Sequence, residues 1–284
     1  MVVVVTGAAG FIGSRAASIF GDEGWDVVRA GRPNQQIPSP EFERLLEEHD
    51  VDLVVHCAGP ASVPASVADP GADRAGSVDV TRALVALLER RDPRPRLLLV
   101  SSAAVYGEPQ ELPVSESAVP APISPYGRHR LAVEELTAAS SVPTAVARVF
   151  SAYGKGLRRQ VMWDIARKAL TGDAVELWGT GAESRDFLHV DDVGRALATI
   201  AARATFENDV YNVGSGEETT IARLAELILE ALGTGATAAF RGVEREGDPA
   251  RWRADTRRLR ALGWSPSVEL AEGVARYAAW VQTA

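Results

Sequence analysis

Residues 2–13 read V-V-V-V-T-G-A-A-G-F-I-G, and this opening constrains the fold more than any other stretch of the chain. Four consecutive β-branched residues, Val2 to Val5, suit a strand buried on both faces of a parallel sheet. Phe11, Ile12 and residues 16–20 then carry an apolar face at helical spacing. Strand, glycine turn and helix follow one another directly. Such a turn needs glycine where φ is positive and where backbone must close on a ligand, while the helix start directs free N–H groups and a positive dipole end at an anion. A dinucleotide pyrophosphate is such an anion. The spacing is G-x-x-G-x-x-G, with Gly7, Gly10 and Gly13, longer than the commonest G-x-G-x-x-G fingerprint. In a chain with 25 glycines the triplet alone says little; its place between an all-valine strand and an amphipathic helix assigns it to dinucleotide binding.

The end of the second strand selects the cofactor. After a turn at residues 21–24, residues 26–30 form that strand, which runs out into Gly31-Arg32. A carboxylate about 20 residues beyond the glycines holds the adenosine ribose hydroxyls of NAD, whereas an arginine accommodates the 2′-phosphate of NADP. No carboxylate stands here. Gly31 leaves room for the extra phosphate and Arg32 can clamp it with two hydrogen bonds. NADP(H) is therefore expected over NAD(H), with Arg29 near enough to compete as the clamp.

Residues 33–40 read as a loop and 41–49 as a short polar helix. Residues 51–57 (V-D-L-V-V-H-C) form a third buried strand with His56 inside it as a core residue, and Ala58-Gly59 put small residues where the chain passes the cofactor. Residues 60–76, rich in Pro, Ala and Ser, read as a loop, 78–91 as an amphipathic helix, and 96–100 as a fourth strand. This β-α-β-α alternation predicts an α/β fold with a Rossmann-type, doubly wound parallel sheet.

Composition narrows the partners. At 284 residues and 46% hydrophobic, the chain can bury the core of one large domain or of a domain with a smaller lobe. A formal net charge of −8 argues against nucleic acid or a membrane surface, so an anionic substrate needs a local cluster of arginines. The single cysteine, Cys57, excludes internal disulfides and a thiolate metal site and suits a reducing cytoplasm; no metal is expected. No apolar run approaches the about 20 residues of a membrane span. Met1 leads straight into a strand with no basic segment before it, so no signal peptide is expected.

Ligands of open α/β sheets meet the carboxyl ends of the strands, where S-S-A-A-V-Y-G, residues 101–107, emerges from the fourth. S-P-Y-G-R-H-R, residues 124–130, then opens a helix over 131–139. Tyr126 and Arg130 are four apart and share a helix face. Moving hydride between a nicotinamide and a carbinol carbon requires a proton to enter or leave the oxygen on that carbon. A phenol, with an ordinary pKa of about 10, does this near neutrality only if its anion is stabilised. A fixed cation does that, and arginine stays charged in any environment. Tyr126 and Arg130 are thus candidate catalytic residues, with one of the two serines 101–102 as a hydrogen-bonding partner of the same substrate oxygen.

Together with the opening spacing, S-S-A-A-V-Y-G and S-P-Y-G-x-x-R-L-A-x-E-E resemble the Ser/Tyr/Lys active site of the extended short-chain dehydrogenases/reductases, in the NAD(P)-dependent nucleotide-sugar epimerase/dehydratase family. The resemblance selects Ser102 over Ser101, counting back from Tyr106-Gly107. It breaks at one position: the family's lysine is Arg130 here, and Arg128 or His129 stands close enough to share the role. The family's 4,6-dehydratases carry an Asp-Glu pair after the active-site hydroxyl, and its sugar-acid decarboxylases a Glu. Ala103-Ala104 offer no acid or base, which leaves ketone reduction or alcohol epimerisation.

The resemblance continues into the second half. T-A-V-A-R-V-F, residues 144–150, is a further buried strand, followed by Ser151. The resemblance implies a crossing here from a dinucleotide-binding domain, residues 1–150, into a substrate lobe, residues 151–284, with a return to the first domain around 184–213. Besides Arg32 at the end of the second strand, the dinucleotide site takes, by this resemblance, Gly7, Gly10, Phe11, Ile12, Gly13, Ala58, Tyr126, Arg130 and Phe150, with Phe150 backing the nicotinamide. The resemblance places Ser102, Ser151, Arg185 and Arg245 at the substrate, the two arginines pinching one diphosphate by charge-assisted hydrogen bonds. Residues 160–170 read as a helix. Arg185 lies in L-W-G-T-G-A-E-S-R-D-F-L-H-V-D-D-V, residues 177–193. Asp186 is read as its salt-bridge partner, and His189, Asp191 and Asp192 as capping and orienting a helix over 193–202. A strand and turn over 210–216 and helices over 221–232 and 273–281 complete the chain.

These readings imply an NADP(H)-dependent nucleotide-sugar oxidoreductase that reduces a keto group of an NDP-hexose, since net reduction draws on NADPH. The same residues serve a 4-epimerase with tightly bound NAD(P), the alternative. A non-catalytic nucleotide-binding regulator that kept the fold while lysine became arginine is a second alternative. A homodimer is implied by the resemblance alone.

Overall fold

The computed structural model describes residues 1–31, 36–172, 174–243, 247 and 249–284. Strand β1 (Val2–Thr6) leads through the glycine turn into helix α1 (Phe11–Asp22), and β2 (Asp26–Ala30) pairs parallel with β1. Helix α2 (Pro40–Glu48) returns the chain to β3 (Val51–His56), on the other side of β1. Helices α3 (Val63–Ala68), α4 (Pro70–Arg74) and α5 (Val80–Glu89) lead to β4 (Arg96–Ser102), with a π-helical turn over Ala75–Asp79 joining α4 to α5. Residues 60–76 are therefore largely helical, not the loop their Pro, Ala and Ser content predicts. The same residues act here as starters: the Ser62 hydroxyl and Asp69 carboxylate cap α3 and α4, and a proline sits in each first turn, where its missing N–H costs nothing.

After β4 comes a 3₁₀ turn over Ala103–Tyr106, then α6 (Pro125–Ala138) and β5 (Thr144–Val149). Helix α6 begins at Pro125 under a Ser124 cap, several residues before the expected start, so Tyr126 and Arg130 both lie within it. The remainder comprises β6 (Ser151–Tyr153), α7 (Gln160–Thr171), β7 (Val175–Leu177), β8 (Ser184–Arg185), β9 (Phe187–His189), α8 (Val190–Arg203), β10 (Glu207–Val213), β11 (Thr219–Thr220), α9 (Ile221–Leu232), β12 (Ala238–Phe240), α10 (Arg257–Ala261) and α11 (Leu270–Val281).

Six strands form one parallel sheet in the order β10-β5-β4-β3-β1-β2. The direction of winding reverses between β1 and β3, and in open α/β sheets ligands bind at the carboxyl ends of the strands beside such a reversal. Alternation along β1 divides the two layers: Val3 and Val5 pack with residues of α1 and α8, and Val4 with residues of α2 and α5. A second apolar cluster joins α7, α9 and α11 around Ile165, Leu224, Ile228 and Tyr277. Among the described residues no helix is long and apolar enough to cross a membrane.

Candidate active site

The glycine turn closes on the loop after β3. Gly7 has φ +65°, and a Cβ there would lie 2.8 Å from the Ala58 nitrogen; a side chain at Gly13 would collide with the Gly7 carbonyl. The turn is further fixed by Thr6, whose Oγ1 accepts from Ala58 N–H at 3.3 Å and meets His56 Nδ1 at 2.8 Å. Gly10 is the N-cap of α1, with no side-chain cap and no acidic residue in the first turn. The first amides of α1 thus keep their N–H groups for an anion, and the close-packed turn fits a dinucleotide pyrophosphate. Ile12 packs on the sheet core and Phe11 on the second apolar cluster. β2 ends beside this turn: Ala8 N–H donates to the Ala30 carbonyl at 3.2 Å, and a Cβ on Gly31 would sit 3.9 Å from the Ala8 nitrogen. Arg29 is exposed. Arg32 lies outside the described residues.

Helix α6 brings Arg130 onto the loop after β3, with Tyr126 one helical turn before it. Arg130 is buried, and its Nη2 donates to the Pro60 carbonyl at 2.5 Å, beside Gly59 and two residues beyond Ala58. Its guanidinium carbon lies 5.2 Å from the centre of the Tyr126 ring, and its Nε is buried without a hydrogen-bond partner. Tyr126 and Ser102 are both half-buried. Ser102 Oγ accepts from Ala104 N–H at 3.2 Å, opening the 3₁₀ turn. A Cβ on Gly127 would collide with the Ala104 carbonyl, so the first turn of α6 rests directly on the turn that follows Ser102. The hydroxyl, the phenol, the guanidinium and the glycine turn therefore meet through a short chain of contacts. His129 does not join them: its Nδ1 lies 2.6 Å from Oδ2 of buried Asp73, whose Oδ1 has no partner. Arg128 is exposed.

Arg130 is also felt beneath the site. Burial, and then the Arg130 charge, push the His56 imidazole down to about 3, so this core residue is neutral and is held between Thr6 and Thr81. Burial pushes the Cys57 thiol up to about 12, against the opposing pull of Arg130.

Phe150 is buried between Tyr106 and Trp252, with ring centres 6.3 and 6.1 Å away. Ser151 is half-buried and its N–H donates to the Asp186 carbonyl at 3.0 Å. Arg185 donates to the Ser184 carbonyl at 2.8 Å and lies with its guanidinium 5.5 Å from the Trp252 ring centre. Trp252 in turn donates from Nε1 to the Gly107 carbonyl at 3.0 Å, which ties Arg185 to the segment carrying Ser102. The expected Arg185–Asp186 salt bridge is absent among the described contacts. Asp186 is fully buried and accepts instead from Ser215 N–H at 2.6 Å, Ser215 Oγ at 2.7 Å, Gly216 N–H at 2.9 Å and Ala254 N–H at 3.0 Å; adjacent residues on an extended segment point to opposite sides. Of the three expected caps, only His189 caps α8. Asp191 pairs with Arg15 of α1 at 2.6 Å, and Asp192 accepts from Ser267 N–H and Val268 N–H. Arg245 lies outside the described residues.

The sequence model of the family described as "NAD dependent epimerase/dehydratase family" matches residues 3–214. This chain belongs to that family. It is an enzyme of the extended short-chain dehydrogenase/reductase class. A UDP-glucose 4-epimerase of Mycolicibacterium smegmatis is 31% identical over 97% of this chain and 97% of its own length. UDP-glucuronic acid decarboxylase 1 of Xenopus tropicalis is 29% identical over 96% of this chain and 70% of its own length. The solved structure of MoeE5 in complex with UDP-glucose and NAD superposes with a TM-score of 0.89 at 29% identity, covering 99% of this chain and 98% of that one.

The sequence motifs miss four contributors to the site: the Pro60 carbonyl, Ser66, Trp252 and the buried pair of Glu134 with Arg148. Ser66 Oγ accepts from Tyr126 N–H at 3.1 Å. Only Glu134 had a local signal, in the E-E that closes the α6 motif.

Proposed function

We propose that the protein is a nucleotide-sugar 4-epimerase that acts on an NDP-hexose. The observation that carries this reading is the contact of α6 with two strand ends at once: Gly127 on the turn after Ser102, and Arg130 on the loop that also meets Gly7. The relatives support epimerisation over net reduction, and they make UDP-hexoses the first substrates to test. A nicotinamide dinucleotide on the glycine turn, when bound, supplies the site with a hydride acceptor and donor. Tyr126 takes the proton of the sugar C4 hydroxyl as the carbinol carbon is oxidised, and returns it to the oxygen after the keto sugar has turned its other face. Ser102 hydrogen-bonds the same oxygen in both directions. Arg130, a permanent cation beside the phenol ring, stabilises the phenolate. Ala103 and Ala104 supply no carboxylate for elimination or decarboxylation. Arg185, with Arg245, would hold the diphosphate.

One observation favours a second reading. β2 ends without a carboxylate beside the glycine turn, which favours NADP(H), and NADPH suits a ketoreductase. Purified protein given a panel of NDP-hexoses without added cofactor, and NDP-keto sugars with NADPH, separates the two. Interconversion at C4 supports the epimerase. Turnover only of keto sugars, with NADPH consumed mole for mole, supports the reductase, and no turnover of either leaves the regulator.

A further inference from the structure

Four residues beyond Arg130 and eight beyond Tyr126, on the same stripe of α6, lies a buried cluster that the proposed reaction does not use. Ser101, the neighbour of Ser102, donates to Oε1 of Glu134 at 2.5 Å. The Glu134 carboxylate also accepts from Arg148 of β5, from Nη2 at 2.7 Å and from Nε at 3.1 Å to Oε2. Arg148 Nη1 donates to the hydroxyl of Tyr106 at 2.9 Å, and that hydroxyl donates to Oδ1 of Asn212 in β10 at 2.7 Å. Asn212 Nδ2 then donates to the Val114 carbonyl at 2.8 Å. All five side chains are buried, and none of their polar atoms is without a partner.

The arrangement brackets the catalytic serine. Ser101 precedes Ser102 and Tyr106 ends the turn that follows it, so both sides of that turn are bound to one ion pair. The carboxylate of that pair belongs to the helix that carries Tyr126 and Arg130. We propose that Glu134 and Arg148 are positioning residues: the pair fixes the Ser102 hydroxyl relative to the Tyr126 phenol. Neither residue needs to touch substrate. The inference rests on the proposed roles of Ser102 and Tyr126. Displacement of reacting groups by about 1 Å can cost about a hundredfold in rate, and a fully satisfied buried network in a low-dielectric interior holds its members rigidly.

Ser101→Ala tests this, because it cuts the link between turn and helix while leaving the ion pair intact. The expected result is a fall in kcat of about tenfold with KM changed by less than about twofold, and recovery to within about threefold in Ser101→Thr, which restores the hydroxyl. Amide hydrogen exchange over residues 102–107 should speed up about tenfold in the alanine variant and not in the threonine variant. Glu134→Gln, which weakens the whole cluster, should lower kcat about a hundredfold at unchanged KM; if it does not fold, the two Ser101 variants decide. An unchanged kcat in Ser101→Ala, or an effect on KM alone, overturns the proposal. Exchange that responds in a protein without epimerase activity would overturn the proposed reaction and keep the brace, whereas silent exchange in an active enzyme would overturn the brace.

Discussion

The two halves of α6 hold polar groups in opposite states. Around Glu134 every buried donor and acceptor has a partner, and the cluster links β4, β5, β10 and the turn after Ser102. Around Arg130 and His129, one turn nearer the sheet ends, two buried atoms have none: Nε of Arg130 and Oδ1 of Asp73. The third such atom among the described residues, Nε of Arg253, belongs to the segment that carries Trp252. A buried polar group without a partner costs about 1–3 kcal/mol, so a fold keeps it where something else is served. The saturated half is scaffold. The unsaturated half is where the proposed ligand would sit, with Nε of Arg130 as the buried donor nearest the Tyr126 ring.

That contrast predicts which substitutions cost stability as well as rate, and substitutions can break it. Tyr126→Phe should lower kcat by about a thousandfold with no loss of thermal stability, measured as C4 epimerisation of an NDP-hexose alongside a melting curve. Arg130→Met should cost about a hundredfold in kcat and leave the midpoint of unfolding unchanged or raised, since it removes an orphaned donor. Glu134→Ala should do the reverse of Arg130→Met in a denaturant titration, losing about 3–5 kcal/mol by stranding the Arg148 charge. If Arg130→Met destabilises as much as Glu134→Ala does, the two halves are not different in kind. Arg130→Lys, which restores the family's residue, should retain or raise activity; a loss beyond about tenfold would show that Pro60 and Tyr126 are spaced for a guanidinium fork.

Acid pH probes the core beneath the site. His56 stays neutral in the folded state down to about 3, whereas it titrates near 6.5 when unfolded. The unfolded chain therefore takes up the proton first, and stability should fall as the pH drops from 6.5 toward 3. A His56→Gln variant should show a flatter dependence over that window. Cys57, with its thiol raised to about 12 by burial, should resist alkylation at neutral pH until the protein is unfolded.

The parts of the site legible in the sequence are those whose chemistry is local. Gly7, Gly10 and Gly13 sit between a strand and a helix, Ser102 ends a strand, and Tyr126 and Arg130 lie one helical turn apart; each relation spans a few residues. The helical character of residues 63–74 is not legible because proline and serine mark loops and helix starts alike, and only the capped geometry at Ser62 and Asp69 tells them apart. Asp186 was misread for a related reason. An Arg-Asp neighbour pair suggests a salt bridge, but extended backbone sends the two side chains apart, and Asp186 gathers amides from residues 215, 216 and 254 that no local pattern connects to it. The partners of Glu134 and the carbonyl that holds Arg130 become visible only once the sheet order brings β4, β5 and β10 side by side and the segment after β3 against α6.

The proposed reaction rests on hydride leaving and returning to the same carbon of the same sugar. An NDP-hexose deuterated at C4 should be epimerised by the purified protein with the label retained at C4, even in the presence of unlabelled NADH and NADPH. Label replaced by hydrogen from the added reduced cofactor, or no inversion at C4 for any NDP-hexose tested, would contradict it.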